Sequence, residues 1–269
     1  MVEENKADLQ VLVIGVDNPL GYAVASRCLS EGARVIIHAA TFVESYYQYV
    51  KLSEAYPYSC IEYTYANLML RSEIKLMTSR IKIKIARLDA VLFSHYTKHP
   101  KEYYWCNHEQ HYWINNHVPK MIAVELIGLL NASKVGVLAV PTGAKWYRDS
   151  LGDISDNDPK SARYAFKLSM QRAGKMRCEW ADWMGSEKNK VKVVCVDIKP
   201  SLRPSQKATK KRNRSDIYRF IDVVYTYIDN YLNRLCACAY WHTCVGKVEN
   251  GTILKQKGLL GLSMQVMFE

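Results

Sequence analysis

The sequence predicts an α/β fold: a doubly wound, mostly parallel sheet of about seven strands with helices on both faces. Three observations predict it. Apolar runs rich in β-branched residues recur along the chain, stretches of helical period separate them, and the first run opens into a glycine turn and a helix over residues 10–21. That last order, strand then tight turn then helix, is how a nucleotide-binding βαβ unit begins.

The strand candidates are 11–15 (VLVIG), 34–39 (RVIIHA), 60–65 (CIEYTY), 89–94 (DAVLFS), 135–140 (VGVLAV) and 191–198 (VKVVCVDI), with a short last one at 252–254. Several are almost wholly apolar, as strands covered on both faces are. Helices are expected at 20–31, closed by Gly32; at 44–56, stopped by Pro57; and at 70–87. A longer one covers about 108–130, with Pro119 kinking or restarting it. The clearest spans 163–184. Another spans about 216–240, with Ile217, Phe220, Val224, Ile228 and Leu235 on or near one face. No repeat and no Gly/Ser linker divides residues 1–269, so one domain is expected.

With 269 residues, 49% of them apolar and 23% charged, the chain can bury a full core. No apolar run reaches the roughly 18 residues of a membrane span, and the polar start MVEENKADLQ is unlike a secretory signal. Eight scattered cysteines are expected as free thiols in a cytoplasmic or nuclear protein, where the sequons at Asn131 and Asn250 carry no meaning. The net charge of +11 and pI near 9.2 favour acidic partners, nucleic acid included, without requiring them. Nineteen tyrosines are spread along the chain and read as amphipathic packing at the core edge.

In order and spacing, residues 9–256 resemble the short-chain dehydrogenase/reductase family, whose sheet is Rossmann-like. The resemblance implies a cofactor-binding glycine motif at Gly15-Val16-Asp17-Asn18-Pro19-Leu20-Gly21, where Pro19 stands in place of the middle glycine. A pyrrolidine there adds bulk and removes an N–H donor, although proline suits a helix start. The second strand ends His38-Ala39-Ala40-Thr41, without the acid that reads an NAD ribose. Asn67 takes the position of the family's adenine-contacting aspartate. Phe93-Ser94-His95-Tyr96 replaces a run of small residues, so two aromatics and a histidine are expected to fill the cofactor's space.

For the chemistry, the resemblance assigns the family asparagine to Asn115 (or Asn116) and the carbonyl-polarising hydroxyl to Thr142. Lys167 matches the lysine that lowers a tyrosine's pKa, but the residue four earlier is Arg163, and Tyr164 lies one step late. Residues three apart still share a helix face, so a local distortion could bring Tyr164 into use. An arginine cannot cycle a proton near neutral pH. The family's Pro-Gly after the sixth strand is Pro200-Ser201. These departures together describe a dismantled active site.

Residues 203–214 carry six cations, with Lys207, Lys210, Lys211, Arg212 and Arg214 as candidate partner contacts. In the family this stretch is a loop over substrate; here it is either a solvated loop or a docking surface for an acidic protein or nucleic acid. The set Cys236, Cys238, His242 and Cys244 lacks zinc spacing, and two positions apart on a helix point to different sides, so no metal is expected. Trp105, Cys106, His108, His111 and Trp113 read as an aromatic surface or partner contact. Asp149, Asp153, Asp156 and Asp158 read as a solvated insertion, not a calcium loop.

The leading expectation is a pseudoenzyme: a scaffold that binds another protein, with no cofactor. It pairs as a homodimer or heterodimer through helices near 108–130 and 163–184, where Trp180, Trp183 and Met184 suit an interface or the core. Two alternatives stand beside it. One is a divergent NADP-dependent oxidoreductase using Asn115, Thr142, Tyr164 and Lys167; the other is a nucleic-acid-associated factor acting through the basic loop.

Overall fold

The computed structural model describes residues 8–94, 113–142, 180, 190–197, 216–245, 249–250, 252–257 and 261–266. In chain order these form β1 (Gln10–Ile14), α1 (Pro19–Ser30), β2 (Arg34–Ala39), α2 (Phe42–Ala55), β3 (Ile61–Tyr65), α3 (Arg71–Lys84) and β4 (Ala90–Phe93). A π-helical turn (Trp113–His117), α4 (Val118–Asn131), β5 (Val137–Thr142), β6 (Lys192–Asp197), α5 (Asp216–Val245), β7 (Thr252–Lys257) and β8 (Gly261–Val266) follow. The sheet runs β3-β2-β1-β4-β5-β6-β7-β8. Its first seven strands are parallel and β8 pairs antiparallel with β7, one strand beyond the sequence expectation.

Strict alternation divides the core. Val11 and Val13 of β1 with Ala90 and Leu92 of β4 pack under α1, α2 and α5. Leu12 and Ile14 with Val91 and Phe93 pack under α3 and α4. A strand covered on both faces must be apolar throughout, which is why 11–14 reads VLVI. Trp180 is buried in the α3/α4 layer; the interface offered for it is therefore core. The remainder of 163–184 and all of 203–214 lie outside the described residues.

Local signals fix the element ends. Past Glu31, Gly32 takes φ 87° and donates to Leu29 while Ala33 donates to Cys28, a Schellman closure of α1. Thr41 and Glu44 form a reciprocal capping box on α2. The third helix stops at Lys84, short of the expected 87, because Ile85 turns extended and Arg87 reaches Asp8 and Asp89. Pro119 cannot donate to the Asn115 carbonyl four residues earlier, and the helix is π-wound just before it restarts as α4. Among the described residues no helix is long and apolar enough to cross a membrane.

The layer between α1 and α5 holds buried thiols, Cys28 and Cys244 among them. Burial raises both from the ordinary 9.0, Cys28 well above that value and Cys244 to about 12. The unfolded chain releases these protons near 9 while the folded chain keeps them. Their contribution to stability is therefore whole below pH 9 and is lost as pH rises toward 12. Native-state alkylation at mildly alkaline pH should label exposed Cys60 and leave Cys28 and Cys244 unmodified, as peptide mass spectrometry would read.

Candidate functional site

In a doubly wound sheet a crevice opens at the carboxyl edge where strand order reverses, here between β1 and β4. The turn leaving β1 is built by Gly15 at φ 92°, a backbone conformation that suits glycine. The N–H groups of Gly15 and Val16 both donate to the His38 carbonyl, at 3.0 and 2.9 Å. Asn18 caps α1: its Oδ1 accepts from Gly21 N at 2.9 Å, and its Nδ2 donates to Gly15 O at 2.6 Å and Ser94 O at 3.4 Å. Pro19 fills the first helical position and has no N–H to offer.

Gly21 is required by proximity. A Cβ there would lie 2.5 Å from Ser94 Oγ and 2.6 Å from the Gly15 carbonyl carbon. Ser94 is fully buried and donates its hydroxyl to Ile14 O at 2.6 Å. The Phe93 side chain is buried beneath α3 and α4, so it does not fill the crevice as the sequence had implied. Tyr240 of α5 donates its hydroxyl to the Phe93 carbonyl, which ties the last helix to the end of β4. His95 and Tyr96 lie outside the described residues.

At the end of β2, His38 is buried, with Nε2 3.1 Å from the Ala66 carbonyl, so its ring belongs to the sheet and not to a ribose site. Glu44, the first acid after β2, is bonded to Thr41 N and Oγ1 at the α2 cap. Asn67 is exposed, but its Oδ1 accepts from Met69 N at 3.0 Å and its own N–H donates to Glu73. It turns the chain into α3. Trp113 is half-buried; it donates Nε1 to Leu68 O at 2.9 Å and pins the π turn over that connection.

Asn115 and Asn116 are both buried in the π turn. Thr142 ends β5. Tyr164, Lys167, Arg163 and the cations Lys207, Lys210, Lys211, Arg212 and Arg214 lie outside the described residues. Gly15, Pro19 and Gly21 thus meet at one turn, with Ser94 beside them. Sequence reading missed Asn18 and Ser94; an asparagine directly before Pro19 was the legible cap signal. Of the cysteine set on α5, Cys236 and Cys244 are buried and His242 is exposed. No three potential metal ligands group together among the described residues.

No protein-family model and no curated sequence matches the chain. Solved structures do. A short chain dehydrogenase from Salmonella enterica serovar Typhi is 17% identical at TM-score 0.59, over 87% of this chain and 93% of that one. One from Shigella flexneri is 16% identical at TM-score 0.60, over 87% of each chain. The fold is that of the short-chain dehydrogenases. A further Shigella flexneri chain of that description, solved with NADP, is 18% identical at TM-score 0.58, over 77% of this chain and 83% of that one.

Proposed function

We propose that this short-chain-dehydrogenase fold no longer transfers hydride and serves as an interaction scaffold. The observation that carries the proposal is the start of α1. Gly15, Val16, Asn18 and Gly21 all direct their N–H groups to acceptors within the protein, and Pro19 has none. A pyrophosphate held at a helix N-terminus needs such donors turned toward it. With His38 inside the sheet and Glu44 and Asn67 engaged in turns, these residues do not fit a bound dinucleotide.

In such a scaffold the binding partner is a protein. Outward on α4, Val124 is exposed beside half-buried Met121 and Ile127, a face suited to pairing with a second copy or a related chain. The basic 203–214 stretch would add contacts to an acidic protein or to nucleic acid. A divergent NADP-dependent oxidoreductase is the second reading, favoured by the NADP-bound Shigella chain of like fold and by the buried Asn115.

Thermal unfolding separates the two. A ligand at one hundred times its Kd stabilises by about 2.7 kcal/mol, which raises the midpoint by several degrees. Millimolar NADPH or NADH should leave this protein's midpoint unmoved. A rise that Lys167→Ala abolishes would establish the reductase instead.

A further inference from the structure

Along the outward face of α1, between α2 and α5, runs a cleft of about 730 Å³, a size that suits a small molecule. Its floor is low because Ala23, Ser26 and Ser30, spaced at three and four residues, are small. Cations come from three elements: Arg27 of α1, Lys51 of α2 and Arg234 of α5, against Asp17 as the one acid among the described lining residues. The Lys51 ammonium is held 4.4 Å over the Tyr22 ring. Arg27 pairs through one terminal nitrogen with Glu31, yet its Nε is buried without a hydrogen-bond partner, as is Oε1 of Gln48. Buried polar atoms are normally satisfied, so this pair marks a missing partner.

We propose that the cleft binds a small phosphorylated molecule bearing hydroxyl groups, of the sugar-phosphate class. The guanidinium N–H groups and the ammonium match phosphate oxygens, and guanidinium does so with directional bonds. The Gln48 carbonyl oxygen accepts a hydroxyl proton, which the dianionic phosphate of a monoester lacks and a sugar hydroxyl supplies. Lys51 and Arg234 are exposed and stand on α2 and α5; the cleft runs from them along α1 and reaches the turn at Val16, Asp17, Asn18 and Pro19.

Calorimetric titration of the full chain with ribose 5-phosphate tests it, with ribose as the uncharged control. Ribose 5-phosphate should bind and ribose should not. Lys51→Ala and Arg234→Ala should each weaken binding by about tenfold or more, the loss of one charge-assisted bond. Both sites are exposed, so unliganded thermal midpoints should match the parent. Lys82→Ala, which removes a cation paired to Glu125 elsewhere, should bind as the parent does. Absence of binding, equal binding of ribose, or affinities unchanged by Lys51→Ala and Arg234→Ala would overturn the proposal.

Discussion

Gly21→Ala should destabilise the protein by about 3 kcal/mol or more, at the upper end of what overpacking a well-filled site costs. The methyl group would press on the Gly15 carbonyl and lie 2.5 Å from Ser94 Oγ. Neither neighbour can yield cheaply. The Gly15 carbonyl is backbone at a turn with φ 92°, and Ser94 is fully buried with its hydroxyl bonded to Ile14 O. Relief requires α1 to lift from β1 and β4, which opens the layer holding Val24, Ala25 and Cys28. Denaturant unfolding measures the loss; an unchanged midpoint would mean that α1 does not lie this close.

Asp89→Ala should be about as damaging, roughly 3 kcal/mol, because it removes a buried charged acceptor from several donors. Asp89 is 4% exposed at the amino edge of the sheet, opposite the crevice. One carboxylate oxygen accepts from Gln10 N at 2.7 Å and lies 3.6 Å from Arg87 Nε; the other accepts from the Ser133 hydroxyl. Ser133 Oγ in turn accepts from Val135 N at 2.9 Å and Gly136 N at 3.2 Å. One carboxylate thus joins the starts of β1, β4 and β5. Asp89→Asn keeps one acceptor oxygen and should lose less, an order that urea midpoints would check.

The fold was legible because buried parallel strands leave a coarse mark: VLVI, RVIIHA and AVLF have few alternatives once they alternate with helices. The Gly32 stop was nearly as plain, whereas the Asn18 cap and the Thr41–Glu44 box emerged only with the structure. The added strand β8 was not, since LSMQV lacks the β-branched density of the central strands and rests on pairing with β7. Site details were less legible still. Sequence order puts Phe93 at the crevice, but the two-residue period of a strand turns its ring into the core. Likewise His38 ends β2 where the family reads a ribose, yet its ring meets the Ala66 carbonyl, twenty-eight residues away.

The closed turn at α1 is tested most directly by crystals grown with a large excess of NADPH. Asn18 Oδ1 should remain on Gly21 N, with no pyrophosphate density over Pro19. Ordered dinucleotide there, its phosphate oxygens bonded to backbone N–H groups of residues 16–21, would contradict the account.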